Sequence, residues 1–209
     1  MGWEDIKGFL KKTWRFIWHS NSLASWIVNI LLAFIIIKYV FYPSVSLAVG
    51  TEVPVVAVIS NSMEHPDNWE NSPAVCENGR CVQEEWYLEM NITPEDFQEF
   101  PFNNGFNKGD IMLVRGRPAS EIEVGDVIVF DSGRSIPIIH RVVAIGERND
   151  NYRFATKGDN NPGQIRNQFI DETRISQEDV FGVAYGRIPY LGYVKILFTD
   201  YIVTPLTGG

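Results

Sequence analysis

Cysteine and histidine are scarce in this chain, with two and three respectively among 209 residues. His19, His65 and His140 lie far apart, and two thiols cannot complete a four-ligand structural zinc site, so neither a metal nor another cofactor is expected. Positive charge is also short: 18 Lys plus Arg face 26 Asp plus Glu, a net of −8. No basic surface is available to offset phosphates, which argues against a nucleic-acid partner. Internal repeats and low-complexity tracts are absent. What is present is a 45% hydrophobic, 13% aromatic composition, enough apolar side chain for a real core. The length fits one ordinary domain plus an appendage.

The appendage is visible at once. Leu23 to Pro43 reads LASWIVNILLAFIIIKYVFYP, 21 residues with Lys38 as the sole formal charge. At helical rise this crosses about 30 Å of hydrocarbon, and a buried core helix is rarely apolar on every face for that length. The run ends in bulky Tyr39, Phe41 and Tyr42 rather than at a small-residue cleavage site, so it reads as an uncleaved anchor. Lys7, Lys11, Lys12 and Arg15 precede it, which places residues 1–22 in the cytoplasm and the remainder outside, a single-pass arrangement in the cell membrane. Trp3, Ile6, Leu10, Trp14 and Ile17 recur at helical steps, giving this basic segment an apolar stripe suited to lying on the inner leaflet.

From residue 44 to 209 the pattern changes to short runs of Val, Ile and Phe bounded by Gly, Pro and Asp. Strands are expected near Val53–Ile59, Ile111–Val114, Val127–Phe130, Ile136–Ile145, Tyr152–Thr156 and Val180–Arg187, giving a mostly β outer domain. Tyr190 to Pro205 is aromatic and apolar but carries Lys195 and Asp200, too short and too charged for a second span. It suits either the bilayer surface or closure of the core.

Between Glu64 and Asn107 the strand pattern breaks off. These 44 residues hold ten acidic residues and one basic residue, Arg80, and account for the acidity of the whole chain. Cys76 and Cys81 both fall here, on the oxidising side of the membrane, so a small disulfide loop is expected, worth roughly 2 kcal/mol by loop entropy. The spacing is not that of a redox Cys-x-x-Cys pair. Asn91-Ile92-Thr93 is a formal glycosylation acceptor, followed by Pro94.

Candidate chemistry starts at Ser60-Asn61-Ser62-Met63, where a strand ends in a turn and a hydroxyl can project from the sheet edge. His140 is the single histidine inside a β pattern, and alternation puts Ile136, Ile138, His140, Val142 and Ala144 on one face. An imidazole between Ile138 and Val142 is discouraged from charging, which suits a general base. Lys157-Gly158-Asp159 closes the next strand, and a hairpin can bring that carboxylate to the histidine. A serine hydroxyl is a poor nucleophile until a base takes its proton, and the resulting imidazolium needs an anion.

Five blocks occur in order: Ser60-Asn61-Ser62-Met63-Glu64, Lys108-Gly109-Asp110-Ile111, Val124 to Phe130, Ile138-Ile139-His140-Arg141-Val142 and Thr156-Lys157-Gly158-Asp159-Asn160-Asn161. Together they resemble the type I signal peptidases, in the branch of archaea and the endoplasmic reticulum, where His-Arg stands in place of the bacterial lysine. The resemblance implies a signal-peptidase-like β domain on one transmembrane helix that removes signal peptides from exported preproteins. By position Ser62 is the nucleophile and His140 the base, with the Ser62 main-chain N–H and the Ser60 hydroxyl at the oxyanion. The branch carries one aspartate in the Lys-Gly-Asp block and another a few residues on; here Asp159 matches the first, while Ile165 occupies the usual place of the second and Asp171 is the nearest downstream substitute. Either can orient the histidine. Implied partners are preproteins, membrane lipids and the secretory translocation machinery. The alternative from another class is an inactive, membrane-tethered β domain serving assembly or binding.

Overall fold

Residues 2–133 and 136–191 are described in a computed structural model, in which the chain divides into two compact units, 1–48 and 49–209. The first begins with helix α1, Trp3–His19, none of whose residues is buried. Ser22 caps helix α2, Leu23–Ile36, by accepting the Ser25 N–H at 3.2 Å. From α2, the Ser25 hydroxyl donates to the Phe16 carbonyl at 2.7 Å and the Asn29 amide to the Ile17 carbonyl at 2.9 Å. Both carbonyls belong to the last turn of α1, which has no intrahelical donors left for them.

Helical backbone continues through a π-helical turn, Ile37–Phe41, into α3, Tyr42–Val49. The apolar helix therefore runs 27 residues, Leu23–Val49, past the end of the 21-residue run legible in the sequence, and is long enough to cross a membrane. Pro43 sits inside it without breaking it. A proline ring collides with the carbonyl four residues earlier, and the wider turn, in which the Tyr42 N–H reaches back to the Ile37 carbonyl, relieves that conflict.

The second unit is built on a seven-stranded antiparallel sheet. Its strands are β1 (Val55–Ala57), β4 (Ile111–Arg115), β5 (Val127–Phe130), β6 (Ile138–Arg148), β7 (Asn151–Lys157), β8 (Ile175–Ser176) and β9 (Val180–Ile188), in the order β1-β4-β9-β5-β6-β7-β8. A hairpin of β2 (Pro73–Cys76) and β3 (Gly79–Val82) stands apart. Strand β6 is the spine, and the pairing of β6 with β7 shifts register between Val142 and Ala144. Ahead of the shift Ile138 and Val142 pack into one cluster with Phe130 and Phe154; beyond it Ile145, rather than the expected Ala144, joins that face. Val143, next to the shift, points into a different cluster. Six expected strands are present with ends moved by a few residues, and the mostly β architecture holds. The stretch from 192 to 205 lies outside the described residues.

The acidic segment is not a loop. It contains β2, β3, helix α4 (Gln83–Glu89) and helix α5 (Pro94–Glu99), with Cys76 and Cys81 joined in a disulfide across the hairpin. Its apolar residues Trp69, Ala74, Trp86, Tyr87, Ile92 and Phe97 form a cluster of their own that closes on Val143 of β6. All its carboxylates except that of Glu64 are exposed.

One buried knot ties insertion and sheet together. The Arg141 guanidinium and the Asp159 carboxylate are both fully buried, with Nε to Oδ1 at 3.0 Å and Nη2 to Oδ2 at 2.7 Å. The three remaining N–H groups donate to the carbonyls of Pro101, Gly125 and Phe102 at 2.7, 2.8 and 3.0 Å, and the cation lies over the Phe97 ring. Asp159 also accepts from the Tyr87 hydroxyl at 2.8 Å and from His65 Nε2 at 2.9 Å. Burial alone would raise the Asp159 carboxyl; Arg141 and His65 together hold it well below the usual carboxylate range. A carboxyl depressed in the folded state contributes stability that is whole above about pH 4 and is lost as pH falls towards its folded value. Asp159→Asn, which leaves the Arg141 charge uncompensated, is expected to cost about 3–5 kcal/mol. Thermal unfolding of the detergent-solubilised chain between pH 2 and 7 reads both effects: the variant starts lower and loses less on acidification.

Candidate active site

Pairing of β1 with β4 is prolonged by hydrogen bonds from Val114 N to the Pro54 carbonyl and from Val58 N to the Asp110 carbonyl, at 2.9 Å each. Beyond Val58 the chain leaves the sheet. Met63, 1% exposed, plugs the core beneath the turn and its sulfur accepts the Asp159 N–H at 3.3 Å. The Ser62 carbonyl accepts the Asn160 N–H at 2.8 Å, and the Asn61 carbonyl accepts the Asn160 side-chain amide at 3.2 Å. Ser62 is thus held by the segment that follows β7, with its hydroxyl half-exposed. Gly158 makes this possible: a Cβ there would stand 2.8 Å from His140 Nε2 and 2.9 Å from the Ser62 carbonyl oxygen.

His140 Nε2 lies 2.9 Å from Ser62 Oγ, although 78 residues separate them. On the far side of the ring, Nδ1 lies 2.5 Å from Oε1 of Glu172. Glu172 is fully buried, and the same oxygen accepts the Thr156 hydroxyl at 2.9 Å, while Oε2 accepts the Ile165 N–H at 2.6 Å. An ionised carboxylate only accepts, so Nδ1 carries the ring proton and Nε2 presents its lone pair to Ser62. The Ser60 hydroxyl is 3.1 Å from Ser62 Oγ. Since Ser62 has one proton and gives it to Nε2, Ser60 is the donor in that contact.

The two aspartates weighed from the sequence have other partners. Asp159 belongs to the Arg141 knot. Asp171 accepts from the Thr173 hydroxyl at 2.6 Å and pairs with Arg174 at 2.7 Å, with the Thr173 hydroxyl foremost in lowering its pKa. The carboxylate at His140 is instead Glu172, which the sequence reading passed over. Its signal was a period of two: Asp171 forms an isolated antiparallel bridge with Arg166, so the chain is extended there, and Ile170 and Glu172 turn inward while Asp171 turns outward. Lys157 stands close by, but its ammonium donates to Gln83 Oε1 and to the carbonyls of Gly158 and Asp159. Burial brings it down to about 8 against the pull of Asp159 and Glu172.

An open cleft of about 500 Å³ adjoins Ser62 and His140. Its walls are mainly apolar, from Val56 to Ile59 on one side and Ile136 to Ile139 on the other, with Ile165 and Ile170 beyond. Among the described residues no group of His, Cys, Asp and Glu is arranged to hold a metal ion.

No protein-family model matches the chain. Among curated proteins it is 37% identical over 99 residues to the signal peptidase complex catalytic subunit SEC11C of Homo sapiens, covering 46% of this chain and 52% of that protein. It is 35% identical over 99 residues to SEC11 of Colletotrichum graminicola, covering 46% and 58%. The alignment with SEC11 of Yarrowia lipolytica is longer, 28% identical over 170 residues, covering 78% of this chain and 73% of the relative. The chain thus spans about half the length of the first curated relatives it matches. The chain is thus similar in sequence, over part of its length, to signal peptidase complex catalytic subunits.

Proposed function

We propose that this chain is a membrane-anchored serine endopeptidase that removes signal peptides from exported preproteins. The observation that carries the reading is the unbroken hydrogen-bond chain Ser62 Oγ, His140, Glu172 at the rim of an apolar cleft. His140 takes the Ser62 proton at Nε2 as Oγ attacks the scissile carbonyl. Glu172 holds the ring in the required tautomer and stabilises the imidazolium, and His140 then returns the proton to the leaving amine. As negative charge gathers on the carbonyl oxygen, the Ser60 hydroxyl turns from Ser62 Oγ towards it, joining the Ser62 N–H as an oxyanion donor. A water repeats the attack on the acyl-enzyme.

The substrate lies extended along the edge of β1, the terminal strand of the sheet among the described residues, with main-chain hydrogen bonds for affinity. Side chains next to the cut enter the slot between Val56–Ile59 and Ile136–Ile139, whose β-branched walls select small residues. The apolar helix crosses the membrane once. The basic α1 lies on the cytoplasmic leaflet with its aromatic stripe in the lipid and its lysines at the headgroups, and the catalytic unit faces the opposite side.

Ser62→Ala in the full chain is expected to abolish preprotein cleavage in liposomes while leaving the unfolding temperature within a few degrees of the parent. Unchanged product yield would sink Ser62 as the nucleophile, whereas a parent chain that cleaves nothing would favour a tethered binding domain. Glu172→Gln is expected to lower kcat by about 10²- to 10⁴-fold with little change in KM, because the amide can offer its N–H to Nδ1 and stabilise the wrong tautomer. Asp171→Asn, which touches neither Ser62 nor His140, should stay within about twofold. Comparable losses in both variants would remove Glu172 from the mechanism.

A further inference from the structure

The insertion between Glu64 and Asn107 does more than decorate the sheet. It grips the segment Lys157–Pro162 at both ends and in the middle, through Lys157, Asp159, Asn161 and Pro162. Gln83, fully buried on the first turn of α4, accepts from Lys157 Nζ at 2.7 Å and donates to the Asn161 carbonyl at 3.0 Å. The Tyr87 hydroxyl, one turn on, donates to Asp159 Oδ1 at 2.8 Å. Trp69 Nε1 donates to the Asp159 carbonyl at 3.0 Å, and Val75 N, on the disulfide-closed hairpin, reaches the Pro162 carbonyl. The Lys157 ammonium lies over the rings of Trp86 and Tyr87 at 4.9 and 5.1 Å.

The gripped segment touches both reacting residues, Ser62 at its backbone and His140 at its ring. Asn160 N holds the Ser62 carbonyl, and Gly158 packs against His140 Nε2 and the Ser62 backbone so closely that not even a methyl group fits. A displacement of about 1 Å in this segment would carry Ser62 off line with the imidazole, a misplacement that can cost on the order of 10²-fold in rate. The cleft walls come mainly from residues 56–60 and 136–140, and of the gripped segment only Asn161 lines the cleft, so substrate binding depends little on the grip.

We propose that the acidic insertion acts as an intramolecular clamp on residues 157–162, with Gln83 and Tyr87 as positioning residues for the Ser62–His140 pair. The clamp rests on the proteolytic reading for its effect on rate, but not for its effect on the loop. The test uses the full chain in detergent with Gln83→Leu, Gln83→Glu and Tyr87→Phe. It records kcat and KM on a preprotein, unfolding temperature, and hydrogen exchange of peptides covering 157–163 and β6. In Gln83→Leu and Tyr87→Phe, kcat should fall at least about tenfold with KM within twofold, and exchange of 157–163 should quicken while β6 stays protected. Gln83→Glu keeps an acceptor for Lys157 and loses the donor to Asn161, so its kcat should lie between those of Gln83→Leu and the parent. Should Gln83→Leu fail to fold, the other two variants decide.

Folded variants with parental kcat and parental exchange overturn the proposal. Faster exchange with parental kcat overturns it as well, since a loosened loop would then have no catalytic consequence. A parent chain that cleaves nothing removes the proteolytic reading, and exchange alone then decides whether the clamp exists.

Discussion

Arg141 and Asp159 share a place from which water is excluded, and opposite charges persist there only if nearly every donor and acceptor is matched. All five guanidinium N–H groups are matched, from three separate stretches of chain. The consequence is geometric. Arg141 fixes strand β6 at the residue after His140, and because neighbours on a strand face opposite ways, anchoring the guanidinium on one side sets the imidazole on the other. Asp159 fixes the backbone between Gly158, which abuts His140, and Asn160, which holds Ser62. The ion pair therefore sets the separation between the strand that carries the imidazole and the loop that carries the hydroxyl.

The carboxylate behind the imidazole reaches it by a different route. Glu172 pairs through its backbone with Ile165 and Thr156, each contact between 2.8 and 2.9 Å, and its side chain is then immobilised by the Thr156 hydroxyl and the Ile165 N–H. Those supporting groups matter as much as the acid, since an unsupported carboxylate on a loop would surrender its orientation to solvent. The extra methylene of glutamate spans a gap that an aspartate on this extended segment would leave open. Its neighbour Asp171 has the shorter side chain but lies on the outward face.

Much of the sheet was legible because its strands, down to the four-residue β5, advertise themselves by β-branched content, and the serine, histidine and Lys-Gly-Asp segments by their order. Two features were not. The insertion looked like a break in pattern because its strands carry one β-branched residue each and its helices, seven and six residues long, are too short for the helical period to repeat. Its core residues, from Trp69 to Phe97, are scattered among ten carboxylates that composition counts equally. Glu172 was overlooked because aspartate was sought by type, whereas the alternation of Ile170, Asp171 and Glu172 specified which carboxylate faced inward. The bulge near Val142 reversed the expected facing of Ala144 and Ile145 for a related reason: one unpaired residue flips every position after it.

The sheet can host so large an insertion because of where it opens and closes. The chain departs immediately after Met63 and returns at Phe106, whose N–H donates to the Met63 carbonyl at 2.8 Å. Both ends therefore meet at a single residue, and the entropy of closing a longer loop there grows only logarithmically, offset in part by the insertion's own apolar cluster. Pinched at that point, the insertion exerts little leverage on strand register. Its influence on Ser62 passes instead through contacts that converge on six consecutive residues, Lys157 to Pro162. The contacts that steady the sheet and those that align the hydroxyl with the imidazole thus overlap at one point, Asp159, which is bonded to Arg141 of β6 and to Tyr87 of the insertion alike.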